Sequence, residues 1–182
     1  SSDSVFINIA EGWFVHYVRD ENSCVSMDSV QIVGPPIIEP NLTIINDISC
    51  FNGNDGTIAS IPQGGIGNYS YFWSNFTIAD NITTLNSGNY NVEVTDGNGC
   101  IVNESIFLAE PNEISNTISS NPASCGGSAD GSAYISSTGG TPPYTYLWNN
   151  GSVTDSIIGL TAGMYTCTVS DSNGCIKVDS IE

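Results

Sequence analysis

Positive charge is almost missing from this sequence. Only 2 Lys and Arg residues stand against 19 Asp and Glu, which gives a formal net charge of −17 over 182 residues. Nucleic acids and anionic lipid surfaces are bound through basic side chains, so the composition excludes both as partners. No apolar run approaches the roughly 18 residues that a membrane span needs, so direct membrane insertion is excluded as well.

Histidine is nearly missing too, and this argues against several enzyme classes. The single histidine, His16, lies in a fragmentary copy of the repeat described below, so the two complete copies lack the base of a serine or cysteine triad. The double glycines at 64–65 and 139–140 lie between predicted strands and not before a helix, which excludes a phosphate-binding loop. We therefore predict that the chain is not an enzyme.

The sequence does contain a long internal repeat. The stretch 88–100 has a glycine, an aromatic residue two positions later, alternating apolar residues and a final Asp-x-x-Gly-Cys turn, and it returns at 163–175. A fragmentary copy stands at 12–24. Fixed periods of this kind indicate tandem repeats. We expect residues 1–36 to be the C-terminal part of a preceding repeat, residues 37–110 to be a complete repeat, and residues 111–182 to be a complete or nearly complete one. The sequence is therefore expected to be an excerpt of a longer array.

Alternating apolar residues predict strands at 42–48, 57–61, 69–73, 83–85, 88–95 and 101–108 of the complete repeat. Short strands separated by Gly, Asn and Pro favour an all-β sandwich. Leu85, Gly88 and Tyr90 have the spacing of a tyrosine corner, and Trp73 has the position of an immunoglobulin core tryptophan. We expect tandem immunoglobulin-like β-sandwich repeats of about 75 residues, arranged end to end and joined at stiff proline breaks near Pro36 and Pro111.

Six cysteines predict disulfide bonds in an oxidising compartment. Their wide spacing does not fit zinc. We expect the turn after the first strand and the turn before the last strand to lie at the same end of the sandwich, so the predicted pairs are Cys50–Cys100 and Cys125–Cys175. Cys24 then has its partner outside this sequence. The alternative scheme joins Cys24 to Cys50 and Cys100 to Cys125 across the junctions, and it leaves Cys175 for a following repeat.

Two further sets of residues are expected in the core. Cys167 stands at the position of Val92 on a core strand, so we expect a small buried side chain with a free thiol. Tyr69, Tyr71 and Trp73 share one face of a strand, which favours core packing over a platform for sugar stacking.

Calcium is the alternative reading of the acidic turns. The segments 96–99 and 171–174 place oxygen ligands at alternate positions, as hard cations prefer, although the full ligand count is missing. A plain Asp-x-x-Gly turn explains the same residues. The aspartates recur in turns of both repeats, where they cap backbone amides, so they are also not expected to be the paired catalytic acids of a glycosidase. No cofactor is therefore required, and the calcium candidates are Asp55, Asp96, Asn98, Asp130, Asp171 and Asn173.

Together these motifs resemble the SprB repeat. They are Cys-x(4)-Asp-Gly, a double glycine, Tyr-x-Tyr-x-Trp, Leu-x-x-Gly-x-Tyr-x-x-x-Val-x-Asp-x-x-Gly-Cys and Glu-Pro, and they cover nearly the whole chain. SprB repeats occur in very large cell-surface adhesins of gliding Bacteroidetes and in related secreted proteins. The resemblance implies type IX export to the outer surface and a long array that moves along the cell. The departures are Phe14, His16 and Cys167.

The resemblance also implies a modification. Bacteroidetes O-glycosylate exported proteins on Asp-Ser/Thr-aliphatic triplets. Such triplets make candidates of Ser4, Ser29, Ser156 and Ser180.

The function expected from these features is a structural spacer in the stalk of a filamentous cell-surface adhesin, active in gliding or surface attachment. The partners would be neighbouring repeats, with surface polysaccharide or other adhesin chains as further candidates. The alternative is a carbohydrate-binding module region of a secreted polysaccharide-degrading enzyme. That alternative requires an exposed aromatic strip, for which the candidates are Trp13, Tyr17 and Tyr134.

Overall fold

The structure is a computed structural model that describes residue 7 and residues 9–125 and 127–182. This part of the chain contains fourteen strands in five sheets. None of its residues forms a helix long and apolar enough to cross a membrane. The strands are β1 Gly12–Arg19, β2 Val25–Ile32, β3 Leu42–Asn46, β4 Gly56–Ser60, β5 Ser70–Trp73, β6 Asn81–Leu85, β7 Gly88–Thr95, β8 Ile101–Leu108, β9 Ser115–Asn121, β10 Gly131–Thr138, β11 Thr145–Trp148, β12 Ser156–Leu160, β13 Tyr165–Ser170 and β14 Ile176–Ile181.

Strands β3 to β8 form a first sandwich of two antiparallel sheets, ordered β3-β4-β6 and β5-β7-β8. Burial alternates along β4 and along the second half of β7, so each strand turns one face to the partner sheet. This order corresponds to strands A, B and E against C, F and G of an immunoglobulin domain. The predicted all-β immunoglobulin-like fold is confirmed.

Strands β9 to β14 repeat this arrangement as a second sandwich, with sheets β9-β10-β12 and β11-β13-β14. Each sandwich has its own cluster of buried apolar residues. The clusters are Ile38, Ile48, Ile58, Trp73, Ile82, Leu85, Val92, Val94 and Leu108 in the first, and Ile114, Ala133, Ile135, Trp148, Ile157, Leu160, Cys167 and Val169 in the second.

Trp73 and Cys167 are buried in the core as predicted, whereas Tyr69 and Tyr71 are only partly buried and pack against it. Trp73 has no exposed surface, and its indole N–H donates to the Ala79 carbonyl at 2.8 Å. Cys167 is also fully buried and is a free thiol. The predicted tyrosine corner is present as well, since the Tyr90 hydroxyl donates to the Asn86 carbonyl at 2.9 Å. These contacts satisfy the polar atoms that the aromatic residues bring into the core.

Ahead of the first sandwich, β1 and β2 form a separate antiparallel hairpin. In sequence it corresponds to β7 and β8, the last hairpin of a complete sandwich. His16, at the position of the buried Val92, is exposed in this hairpin.

The first and last strands of a sandwich run in the same direction. In the second sandwich, the Asn116 amide donates to Asp179 at 2.7 Å and the Ser120 hydroxyl donates to the Glu182 carbonyl at 3.4 Å. The later residue of the first strand thus contacts the later residue of the last strand, as in a parallel pair. The chain therefore enters each sandwich at one end, here called the leading end, and leaves at the opposite end, the trailing end.

Candidate functional site

The most distinctive feature of the described chain is a disulfide bond between the two sandwiches. Cys50 and Cys175 are joined by an S–S bond of 2.01 Å, with their Cα atoms 5.7 Å apart and 125 residues between them along the chain. Cys50 lies in the turn after β3, at the trailing end of the first sandwich. Cys175 lies in the turn before β14, at the leading end of the second. We call this contact region the junction; it comprises residues 48–55, 109–114, 139–141 and 171–177.

Both predicted pairing schemes are therefore wrong. Cys50–Cys100 and Cys125–Cys175 do not form, and Cys24, Cys100 and Cys125 are free and exposed. Because the first and last strands are parallel, the turns after one and before the other lie at opposite ends. An eight-residue strand such as β8 separates them by about 25 Å, whereas a disulfide tolerates about 4.4 to 6.8 Å between Cα atoms.

The alternative scheme, Cys24–Cys50 with Cys100–Cys125, is wrong as well, because Cys50 is bonded to Cys175 and both Cys100 and Cys125 are free. It was right in one respect, because the bridge does cross a junction between repeats. Counting strand directions from the sequence would have placed the two cysteines of one repeat at opposite ends and pointed to a neighbouring repeat.

A double glycine shapes the leading end of the second sandwich. Gly139 and Gly140 have φ angles of +74° and +57°, and the Gly140 amide donates to the Asn112 carbonyl at 2.7 Å. A Cβ added to Gly139 would lie 2.0 Å from the Glu113 carbonyl oxygen. Only glycine allows this backbone to lie so close to the incoming chain. The double glycine thus fixes where residues 112 and 113 meet the sandwich.

A buried aspartate organises the turn that carries Cys175. The Asp171 carboxylate accepts hydrogen bonds from the amides of Thr141 at 2.8 Å and of Asn173 and Cys175, both at 2.9 Å. The three backbone donors use both oxygens of the carboxylate, as in an Asx turn that is also tied to a second loop. The turn is therefore held rigid, and so is the position of the Cys175 sulfur.

The first sandwich contains the same arrangement around Cys100. Asp96 is buried and accepts from the amides of Ile66 and Asn98 at 2.9 Å and of Cys100 at 2.8 Å. These backbone hydrogen bonds, the one from Ile66 above all, hold the pKa of Asp96 below its usual range.

The trailing-end turn around Cys50 is held by a second aspartate. The Asp55 carboxylate accepts from the Ser49 amide at 3.1 Å, and hydrogen bonding by the Ser49 hydroxyl and amide lowers the Asp55 pKa. The Asn52 amide donates to the Glu110 carboxylate at 2.6 Å, which ties the turn to the segment that leaves the sandwich.

Contacts around the disulfide join the two sandwiches further. The Asn173 side-chain amide donates to the Ser49 carbonyl at 2.9 Å and to the Thr141 hydroxyl at 3.2 Å. The Cys175 sulfur lies 3.3 Å from the same Ser49 carbonyl, a packing contact because a disulfide sulfur carries no proton. Beside these contacts, Lys177 pairs with Glu113 at 2.8 Å, and this pairing raises the Lys177 pKa.

The calcium candidates are divided between the two ends of each sandwich. Asp55 and Asp130 lie at trailing ends, whereas Asp96, Asn98, Asp171 and Asn173 lie at leading ends. The four carboxylates accept backbone amides, and Asp130 binds the Ser124 amide and hydroxyl just as Asp55 binds Ser49. No group of three or more His, Cys, Asp or Glu arranged for a metal occurs among the described residues.

The other predicted site residues lie on the surface. Ser29, Ser156 and Ser180 are exposed on β2, β12 and β14, and Ser4 lies outside the described residues. Trp13 and Tyr17 are 68% and 65% exposed on one face of β1, and Tyr134 is 49% exposed on β10.

The SprB repeat family matches residues 42–77 and 117–153, one segment in each sandwich and each including the tryptophan of the Tyr-x-Tyr-x-Trp motif. The chain contains two SprB repeats. They identify it as a repeat region of a surface adhesin-type protein. The sequence has no significant match among curated proteins.

Several solved immunoglobulin-domain structures are similar to the SprB repeats described here. An amphioxus IgVJ-C2 molecule is 18% identical, with a TM-score of 0.33, and the match covers 71% of this chain and 96% of that one. DIP-gamma IG1+IG2 is 14% identical, with a TM-score of 0.35, over 78% and 95%. Dpr2 Ig1-Ig2 in complex with DIP-Theta Ig1-Ig3 is 15% identical, with a TM-score of 0.31, over 94% and 72%. The assignment of the fold rests on the strand order itself.

Proposed function

We propose that these SprB repeats are non-catalytic spacers in the stalk of a filamentous adhesin outside the cell, serving gliding motility or surface attachment. The repeat units would be 37–110 and 111–182, after the C-terminal part of another at 1–36. The observation that carries the proposal is the Cys50–Cys175 disulfide, which joins two sandwiches covalently at the ends where they meet.

A stalk must keep its domains in line under a pulling force. Parallel first and last strands send the chain in at one end and out at the other, so successive repeats extend the molecule. The disulfide and the Asn173–Ser49 hydrogen bond then limit how far one sandwich can bend against the next. A disulfide also suits the oxidising environment of an exported protein.

Small-angle scattering tests the proposed shape. The oxidised chain is compared with one that carries residues 108–182 again after Glu182, which keeps the 75-residue register. We expect the largest dimension to grow by about 35 Å, the length of an eight-residue strand with its turns. Cys50→Ser should broaden the distance distribution, and Cys167→Ser, which removes a thiol outside the junction, should not. A largest dimension that stays constant as the repeat is added would overturn the proposal.

A carbohydrate-binding region is the second candidate, and one observation favours it. Trp13, Val15 and Tyr17 lie on one exposed face of β1, whereas the corresponding positions of β7 are Asn89, Asn91 and Glu93. Exposed aromatic residues in a row can stack on sugar rings. The test is calorimetric titration with polysaccharide, in which Trp13→Ala should abolish binding and Phe107→Ala, a matched exposed aromatic change, should not. Equal heats for both variants would remove this candidate.

We further propose neighbouring repeats of the chain as the main partners of each unit, with surface polysaccharide or other adhesin chains beyond them. We also propose that calcium binds at the acidic turn residues named above and that O-linked glycans are attached to the candidate serines. Intact mass measurement of the protein from its native source, before and after removal of glycans and divalent cations, tests both.

A further inference from the structure

We propose that Cys125 is the trailing half of a second junction and bonds to the leading-end cysteine of a following SprB repeat in the same chain. Cys100 would receive the trailing-end cysteine of a preceding repeat in the same way. The stalk would then carry a ladder of interlocking disulfides in which every repeat is bonded to both neighbours. The inference rests on the proposed stalk function only in that it takes further repeats to be present.

The surroundings of Cys125 repeat those of the bonded Cys50. Asp130 accepts from the Ser124 amide at 3.0 Å and from its hydroxyl at 2.6 Å, as Asp55 accepts from the Ser49 amide at 3.1 Å. The residue before each cysteine is thus fixed by the same aspartate. Cys125 is nevertheless exposed and free. One of two equivalent positions is bonded across a junction, so the other has the geometry for the same bond.

Cys100 has the surroundings of the bonded Cys175. Both cysteine amides donate to a buried aspartate, Asp96 in one case and Asp171 in the other, at 2.8 and 2.9 Å. Asn98 stands where Asn173 makes its contact with the neighbouring sandwich. Cys100 is exposed and free, since the β1–β2 hairpin ahead of it contributes no trailing-end turn.

Such a ladder would interlock. The observed bridge spans 125 residues, and a new bridge would begin with every 75-residue repeat, so successive bridges overlap. Each peptide bond within the array would be spanned by at least one disulfide. A single proteolytic cut would therefore leave the stalk covalently continuous. Under a pulling force, only the chain between successive bridges could extend, which is about 25 residues, as from Cys100 to Cys125, or roughly 85 Å.

The test uses the whole chain extended by a second copy of residues 108–182 after Glu182. The copy of Cys175 then stands 125 residues after Cys125, which is the spacing of Cys50 and Cys175. The reduced protein is refolded with oxidised glutathione. Two protein thiols lose two protons and two electrons, the protein S–S bond forms, and the glutathione disulfide is cleaved to two glutathione thiols. Alkylation and non-reducing peptide mapping follow.

We expect a peptide that links Cys125 to the copy of Cys175, together with the original Cys50–Cys175 link. In the chain without the extension, Cys125 should be alkylated fully. Cys125→Ser in the extended chain should leave the copy of Cys175 free and alkylated, whereas Cys167→Ser should leave both links unchanged.

Three outcomes would overturn the inference: a free Cys125 in the extended chain, a Cys125–Cys100 link, or a disulfide-linked dimer of two chains through Cys125. These outcomes are distinguishable from failure of the stalk proposal. An extended chain that lengthens in solution but leaves Cys125 free contradicts the ladder alone. One that forms both links but stays compact contradicts the stalk alone.

Discussion

The Cys50–Cys175 bond should make most of the chain inextensible, and single-molecule pulling can measure this. When force is applied at the two termini, the covalent path runs from the N-terminus to Cys50, across the disulfide, and from Cys175 to the C-terminus. While the disulfide is intact, the chain between the two cysteines, which are 125 positions apart, cannot be extended however high the force rises. Most strands of both sandwiches lie in this bypassed stretch.

The released length gives the magnitude. A fully extended chain spans about 3.3 to 3.6 Å per residue, so the bypassed stretch corresponds to roughly 430 Å. In the folded state the same two Cα atoms are 5.7 Å apart. Cys50→Ser should therefore increase the total contour length released on unfolding by roughly 430 Å relative to the oxidised parent chain, and addition of reductant to the parent chain should do the same.

Cys167→Ser is the matched control for this measurement. It replaces a thiol that is fully buried in the second sandwich but forms no disulfide, so the unfolding force can change while the released length does not. If the oxidised parent chain releases the same length as Cys50→Ser, the force does not bypass the two sandwiches and the reasoning is refuted.

Three further outcomes follow from the turns and the core. Gly65→Ala should lower the unfolding free energy of the first sandwich by about 1 to 3 kcal/mol, because the φ angle of Gly65 is +58° and an added Cβ would lie 2.8 Å from the Asp96 carboxylate. Gly67 has open space around it, so the control Gly67→Ala should leave the denaturation midpoint unchanged. Since the pKa of Asp96 is lowered in the folded state, the ionised Asp96 contributes to stability above about pH 4, and this contribution is lost as the pH falls through the folded pKa. Asp96→Asn should therefore make the melting temperature depend less on pH in this acidic range. Tyr90→Phe should cost about 1 kcal/mol in urea denaturation through loss of the tyrosine-corner hydrogen bond.

The sequence predicted the fold well because the fold depends on local patterns. Alternating burial in β4 and β7, the tryptophan at 73 and the Tyr90 corner all follow from residues a few positions apart. The repeat added a second, independent copy of each pattern. Cys167 could be placed in the core for the same reason, since its position is defined by the equivalent Val92.

The junction could not be predicted in the same way. Its disulfide joins residues 125 positions apart, and its partner choice depends on which ends of two sandwiches meet. No local pattern distinguishes the bonded Cys50 and Cys175 from the free Cys125 and Cys100, because the aspartate-held turns around them are the same. Only the parallel direction of the first and last strands decides that the cysteines of one repeat are too far apart to bond.

Non-reducing peptide mapping of the oxidised chain tests the central claim most directly. After free thiols are blocked at low pH, cleavage at aspartate and glutamate separates all six cysteines except through disulfides. We expect one linked peptide pair, which contains Cys50 and Cys175, with Cys100 and Cys125 blocked. A Cys50–Cys100 or Cys125–Cys175 pair would place the bridges within the repeats and contradict the junction.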